Sequence, residues 1–216
     1  MVLKKEVFFF TVIVLFCLVI SLLAYTWAPT DPLSLTIRLL ALNGYIAVAI
    51  AAIITPFVKE ITLYLKKPFT KIHHYFAAAG LLLVTLHPIA VFIRFMDPNV
   101  FLPEFENLYV FFFFGGIIAL LLIYVGVGAV FLRRKFMTSW RLFHMLMYLA
   151  LFIGVIHANL RGIDFGNIYI QIVFDTLFVL VLLAFVLKRV QFYRIKQRVR
   201  RYKQAQANSG SKINKI

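Results

Sequence analysis

The stretches KIHHYFAAAGLLLVTLHP at residues 71–88 and SWRLFHMLMYLALFIGVIH at residues 139–157 contain all five histidines of the chain. His73 and His87 lie fourteen residues apart in the first stretch, and His144 and His157 lie thirteen apart in the second. Ionisable residues are costly in long apolar segments and tend to be functional where they occur. The near-repeat of one spacing in two such segments indicates that the four histidines serve one purpose.

The rest of the chain is as apolar as these two stretches. Of 216 residues, 63% are hydrophobic and 14% are charged, and the mean hydropathy is +0.93. A helix needs about 20 apolar residues to cross a bilayer, and runs of this length lie near 6–27, 36–58, 72–95, 108–132, 139–160 and 168–188. These runs lack the alternation of apolar and polar residues that is typical of transmembrane β-barrel strands. We therefore predict an all-α integral membrane protein, a six-transmembrane-helix bundle over residues 1–190 with a basic cytoplasmic tail at 191–216.

The first apolar run follows Lys4 and Lys5, as in a signal peptide. Its length, and the absence of an A-x-A site in AYTWAPT, favour a retained helix. The single cysteine, Cys17, lies in this run, so a C-x-x-C-H haem attachment and thiolate clusters are excluded.

The net charge of +15 is concentrated at the ends of the predicted helices. Basic residues cluster at 59–71, at 133–141 and from 188 onward, whereas the intervening loops contain most of the acidic residues. The positive-inside rule then predicts a cell-membrane protein with both termini cytoplasmic. This distribution argues against nucleic acid as the partner. The tail is amphipathic enough to lie against anionic lipid; the alternative is a docking site for an acidic partner.

Helices three and five both start at the cytoplasmic face, so they run parallel and equivalent positions lie at similar depth. His73 or His74 matches His144 near the inner face, and His87 matches His157 near the outer face. At 1.5 Å per residue the two levels are roughly 20 Å apart. A lone buried histidine more often forms a hydrogen bond with the neighbouring backbone than binds a metal. This paired repeat nevertheless predicts ligation of two haems between helices 3 and 5.

Helical geometry distinguishes the candidate ligands. At about 100° per residue, fourteen residues return to within roughly 40° of one face, whereas thirteen fall about 140° away. His73 therefore aligns with His87 better than His74 does. The spacing of His144 and His157 requires a π-bulge or a tilt between haems. For His74 we expect a propionate contact or a position at the membrane surface.

Other polar residues lie at similar depths. Lys71 and Arg141 inside, and Arg94 and Arg161 outside, are either interfacial anchors or partners of haem propionates. Asp175 is an acidic residue well within the sixth run, where it either relays protons or makes a polar contact, with an outer arginine or with Asn43 as candidate partners.

The residues resemble the ferric reductase-like transmembrane domain, the six-helix haem module of NADPH oxidases, yeast ferric reductases and the haem subunit of the periplasmic methionine sulfoxide reductase system. The resemblance rests on IITP at 53–56, on residues 71–88 and on RRKFMTSWRLFHMLMYLALFIGVIH at 133–157. It implies an inner haem on His73 and His144 and an outer haem on His87 and His157.

The chain departs from this family in two respects. In length and in its IITP segment it is similar to the methionine sulfoxide reductase subunit, where the first position of the quartet is typically arginine rather than His73; this leaves one haem b as the alternative to two. The reductases and oxidases also continue into a flavin and nicotinamide domain, which this sequence lacks. The resemblance then implies a separate donor, either a flavoprotein or a quinol, and an external acceptor or reductase subunit.

These features predict a transmembrane cytochrome b, an oxidoreductase component of the electron transport type. The rival prediction is a non-redox transporter or assembly factor in which the histidines and Asp175 form a polar relay. A third is a haem-binding structural subunit of a larger complex. Only the first requires both haem and an electron donor.

Overall fold

The computed structural model describes residues 5–28, 30–135 and 139–213. Within these ranges the regular secondary structure is helical, and no strand occurs. The α-helices are α1 (Lys5–Trp27), α2 (Pro32–Ile53), α3 (Val58–Leu65), α4 (Phe69–Phe95), α5 (Leu108–Phe113), α6 (Gly115–Phe131), α7 (Trp140–His144), α8 (Leu146–Arg161) and α9 (Ile168–Ile213).

Six helical segments of the described chain are long and apolar enough to cross a membrane, as the sequence predicts. They are Lys5–Trp27, Pro32–Ile53, Phe69–Phe95, Gly115–Arg134, Trp140–Arg161 and Ile168–Gln204. The predicted all-α architecture and multi-pass topology are therefore confirmed at this level.

The second span ends earlier than predicted, at Ile53 instead of near residue 58. Pro56 has no amide hydrogen to donate to the carbonyl of Ala52, and the Thr55 hydroxyl donates to that carbonyl instead, at 2.8 Å. A 3₁₀ turn follows at Thr55–Phe57, and α3 then begins as a separate short helix. The IITP segment is thus a helix terminator.

The spans pack as two tight helix pairs. In the first pair, α2 and α4 approach closely because Gly44 and Gly80 lack side chains. A Cβ atom on Gly80 would lie 2.9 Å from the backbone nitrogen of Val48, and one on Gly44 would lie 2.8 Å from Cγ1 of Val84. Small residues allow this approach between apolar helices.

The second pair is α6 with α8. A Cβ on Gly115 would lie 2.8 Å from Cγ2 of Ile153, so these backbones also approach closely. By contrast, α4 and α8 barely touch each other. The two long histidine-bearing helices are therefore each held by a partner helix and not by one another.

A buried ion pair closes one end of the bundle. Arg38 of α2 donates from Nε to both carboxylate oxygens of Asp164, at 3.1 and 3.0 Å, and from its terminal nitrogens to Asp164 and to the carbonyls of Ala24 and Ala28. Arg38 is only 9% exposed. One guanidinium thus ties α1, α2 and the turn between α8 and α9 together.

The last helix, α9, continues without a break from the sixth span into the basic tail. No proline or glycine interrupts it before Gly210. Lys188 donates to the carbonyl of Thr55 at 3.1 Å and Gln191 to that of Pro56 at 3.2 Å. A tail lying along the membrane surface would need a bend that α9 lacks; residues 214–216 of the predicted tail lie outside the described part.

Candidate functional site

His73 of α4 and His144 of α7 form the first histidine pair. Nδ1 of His73 donates to the carbonyl of Ala51 at 3.1 Å, and Nδ1 of His144 donates to that of Gly126, also at 3.1 Å. The two ring centroids lie 6.4 Å apart, with an interplanar angle of 72°. The helices thus bring together residues 71 positions apart in sequence.

His87 and His157 form the second pair. Nδ1 of His87 donates to the carbonyl of Ile37 at 3.0 Å, and Nδ1 of His157 donates to that of Phe113 at 2.7 Å. The two imidazoles are close enough to interact electrostatically. Both are partly buried.

The acceptor carbonyls repeat the spacing of the histidines. Ile37 and Ala51 lie fourteen residues apart on α2, matching His73 and His87 on the antiparallel α4. Phe113 and Gly126 lie thirteen apart, matching His144 and His157. Each histidine helix therefore has an antiparallel partner that orients both of its imidazoles by the same contact.

These contacts fix the tautomer of all four rings. A backbone carbonyl only accepts hydrogen bonds, so the hydrogen of each neutral imidazole is on Nδ1 and the lone pair is on Nε2. Within the described chain no Nε2 atom of the four forms a hydrogen bond. Metal-binding histidines are typically held this way, with the second nitrogen on a carbonyl or carboxylate.

The separation within the first pair fits two imidazoles on opposite sides of one metal. With metal–nitrogen bonds of about 2.0–2.1 Å, such rings have centroids roughly 6.3 Å apart; those of His73 and His144 are 6.4 Å apart. Among the described residues no three His, Cys, Asp or Glu side chains come together to hold a metal ion.

His74 does not share the position of His73. Its side chain is exposed, and its ring centroid lies 6.0 Å from that of His73. His73 is the one that faces His144, which agrees with the helical-wheel preference for His73.

The spacing of thirteen is accommodated by a break at Met145, between α7 and α8. The Met145 amide donates to the carbonyl of Leu142 as well as to that of Arg141, and the Tyr148 amide donates to the carbonyl of Met145 at 3.0 Å. These i to i+3 bonds belong to a 3₁₀ turn, which winds by about 120° per residue. A π-bulge, one of the two alternatives predicted for this spacing, is therefore wrong. The helix instead winds more tightly at Met145, which reduces the angle of about 140° that would separate His144 and His157 on a straight helix.

Gly116 makes room for His157. A Cβ atom on Gly116 would lie 2.8 Å from Nε2 of His157 and 3.1 Å from its Cδ2. By contrast, a Cβ on Gly128 of the same helix would meet no atom within 4 Å. The glycine pair Gly115 and Gly116 inside an apolar run predicts close helix packing, but the sequence does not show that the neighbour of Gly116 is His157.

The predicted arginines differ in their surroundings. Arg161 lies over the rings of Phe113 and Phe114, 5.1 and 4.9 Å from their centroids, and the carbonyl of Phe113 is the one that accepts the hydrogen bond of His157. Arg94 instead forms an ion pair of 2.8 Å with Asp31. Arg141 lies 5.6 Å from the centroid of Trp140, whose ring is itself 6.2 Å from that of His144. Of the outer arginines, Arg161 is the one near a histidine pair.

Asp175 makes a polar contact between helices, one of the predicted alternatives, but its partner is neither an arginine nor Asn43. It accepts a hydrogen bond from Asn159 at 3.1 Å, and Gln171 donates to Asn159 at 3.0 Å. Asn43 instead donates to Ser21 and to the carbonyl of Leu39. The predicted contact of Asp175 with Asn43 is therefore wrong, because Asn43 faces α1.

Two cavities, of about 360 and 500 Å³, are lined by residues near the start of α1 together with residues of α3 and the turn after it, and neither borders a histidine.

Comparison with known proteins adds no further constraint: no protein-family model, no curated protein and no solved structure matches the chain. The candidate site thus rests on its own geometry, two imidazole pairs with their Nε2 atoms available.

Proposed function

We propose that this chain is a transmembrane b-type cytochrome that carries electrons across the cell membrane, from a cytoplasmic or quinol donor to an external acceptor. One observation carries the proposal: all four histidines donate from Nδ1 to a helix carbonyl, which leaves Nε2 available on each. His73 with His144, and His87 with His157, would each hold one haem b. The ring separation of 6.4 Å in the first pair supports this assignment.

When bound, haem iron would supply one-electron chemistry. The chain's own residues then have three tasks. The four histidines would hold the iron; the carbonyls of α2, α5 and α6 keep the imidazoles in the Nδ1–H tautomer; and Arg161 would offer a positive charge to a propionate at the outer pair. Arg141 and Arg94 are secondary candidates for propionate contacts.

The donor and acceptor belong to other molecules in this proposal. A flavoprotein or a quinol would supply the electrons, so any flavin enters only through a partner. Ferric iron, oxygen or a reductase subunit would receive them outside. The concentration of basic residues at 59–71, 133–141 and 188–203 supports an orientation with both termini cytoplasmic.

The first experiment measures the reduced-minus-oxidised absorption spectrum of the purified protein, with haem quantified per chain. We expect two low-spin b haems. His87→Ala and His157→Ala should lose the same haem, whereas His73→Ala and His144→Ala should lose the other. His74→Ala is the matched control and should retain both.

Different outcomes would revise the proposal in different ways. One haem per chain would favour the arrangement of the methionine sulfoxide reductase subunit. Loss of different haems in His87→Ala and His157→Ala would contradict the pairing. No haem after haem-replete expression would overturn the cytochrome and favour the polar-relay rival. That rival has less support, because the hydrogen bonds of Asp175 in the described chain lead to Asn159 and Gln171 and reach no histidine.

A further inference from the structure

The tail of α9 has an apolar stripe that nothing in the described chain covers. Its members are Phe192, Ile195, Val199 and Tyr202, which are 55%, 60%, 50% and 66% exposed. At about 100° per residue they fall within an arc of roughly 80°. Their spacing of three, four and three residues is that of the a and d positions of a coiled coil.

The stripe lies beyond the body of the protein. Gln191, immediately before the stripe begins, donates to the carbonyl of Pro56 in the bundle. The thirteen residues from 192 to 204 then extend for roughly 20 Å at 1.5 Å per residue. Because α9 is continuous, this segment prolongs the sixth span beyond Lys188, where the run of basic residues begins.

Basic side chains border the stripe on both sides. Lys196 and Lys203 occupy the e positions and Arg198 a g position, and all three are exposed. From Lys188 to Lys203 the helix has eight basic residues and no acidic one. In a coiled coil, e and g residues select the partner by charge.

Charge and the direction of the helix together argue against two of the three possible occupants. In a parallel pair of copies of this helix, Arg198 at g would face Lys203 at e of the other copy, and like charges in these positions repel. Anionic lipid matches the charge, but a helix that continues the axis of a membrane span presents only its first turns to the lipid surface. The remaining occupant is a protein segment that is both apolar and acidic.

We propose that the α9 tail docks an acidic amphipathic helix of a partner protein, with Phe192, Ile195, Val199 and Tyr202 as the seam and Lys196, Arg198 and Lys203 as its charged border. This docking does not depend on haem. Its failure would leave the proposed cytochrome function untouched, and failure of that function would leave the docking standing.

The test uses the full chain in zwitterionic nanodiscs and a synthetic helical peptide with leucine at a and d positions and glutamate at e and g. A peptide of the same composition in scrambled order is the control. We expect the patterned peptide to bind at least tenfold more tightly than the scrambled one, with weaker binding at higher salt. Equal binding of the two peptides would overturn the proposal, because it would reduce the tail to a non-specific polycation.

Variants separate the seam from net charge. Ile195→Ser with Val199→Ser, and the triple reversal Lys196→Glu, Arg198→Glu and Lys203→Glu, should each weaken binding at least tenfold. The matched triple Arg194→Glu, Arg200→Glu and Arg201→Glu changes the charge equally on the other faces of the helix, and should weaken binding less than threefold. Equal loss in the two triples would contradict the seam.

Two further readouts test the excluded occupants. A fluorescent label at position 199 reports burial in lipid when the nanodisc is made with anionic lipid, and cross-linking through Val199→Cys reports pairing of two copies. We expect the label to stay in water and the cross-link not to form. Burial of the label would assign the stripe to lipid, and efficient cross-linking would assign it to a homodimer; either result would overturn the proposal.

Discussion

Each of the four paired histidines is oriented by a backbone carbonyl and not by a side chain. A helix carbonyl has a fixed direction and loses no rotamer freedom on accepting a hydrogen bond, so it orients an imidazole at little entropic cost. Ala51 and Phe113 lie in the last turns of α2 and α5, where carbonyls lack intrahelical donors. The groups that position these rings therefore belong to the backbone, and a substitution of the side chain of Ala51 or Ile37 would leave the acceptor in place.

At this scale Gly116→Ala tests the second histidine pair. The new methyl group would lie within 3 Å of Nε2 of His157, so the ring must move away from its carbonyl partner. We expect loss or a changed spectrum of the haem assigned to His87 and His157, with the other haem unchanged, in the reduced-minus-oxidised spectrum.

Gly128→Ala is the control for that substitution. It makes the same chemical change in the same helix where a Cβ atom meets nothing within 4 Å. Both haems should be retained in this variant. Equal effects of the two alanines would mean that Gly116 acts through helix packing and not through His157.

At the scale of elements, local rules decide where helices begin and end. Pro56 ends α2, and the 3₁₀ turn at Met145 separates α7 from α8. Asp31 begins α2 by accepting hydrogen bonds from the amides of Leu33 and Ser34, both at 3.1 Å, with Pro32 at the first helical position. The Asp31 carboxylate thus caps α2, and its negative charge also interacts favourably with the positive N-terminal end of the helix dipole.

Asp31→Ala should therefore lower the thermal midpoint at pH 7. The hydrogen bond from the Ser34 backbone, and with it the charge of Arg94, holds the pKa of the Asp31 carboxyl below its usual value of 3.8. A carboxyl with a depressed folded pKa stabilises the protein above the unfolded pKa and loses that contribution as the pH falls through the folded one. The difference between wild type and Asp31→Ala should thus be constant from pH 7 to pH 5 and shrink below 3.8.

Asp31→Asn distinguishes the cap from the ion pair with Arg94. Asparagine also caps helices well but has no charge. We expect Asp31→Asn to keep most of the thermal stability of the wild type at pH 7. Because residue 31 then does not titrate, its contribution to stability should not change as the pH is lowered. A loss as large as that of Asp31→Ala would assign the effect to Arg94 instead of the cap.

At the scale of the whole molecule, the ion pair of Arg38 with Asp164 joins parts of the chain 126 residues apart. Removing one partner of a buried pair leaves the other charge uncompensated, at a cost of about 3–5 kcal/mol. Arg38→Met and Asp164→Leu should each lower the free energy of unfolding by this order, as measured by denaturant titration in detergent micelles.

The double variant Arg38→Met with Asp164→Leu removes both charges. Replacing a buried pair by apolar residues is often neutral or stabilising, so the double variant should be more stable than either single one. Additive losses would show instead that Arg38 acts mainly through its bonds to the carbonyls of Ala24 and Ala28.

The sequence by itself determined the six membrane-spanning helices and the histidine spacing, because apolar run length and residue spacing are local properties read directly from the order of residues. It also favoured His73 over His74 by helical phase alone. Sequence could not reveal the acceptor carbonyls, Gly116 as the neighbour of His157, or Asn159 as the partner of Asp175, because these depend on the register between helices distant in the chain. The tightened turn at Met145 and the unbroken α9 were likewise decided by the structure. At Met145 the residue pattern permits either a bulge or a 3₁₀ turn, and along α9 it permits either a bend or a straight helix. Hydrogen bonding along the chain selects one of the two in each case.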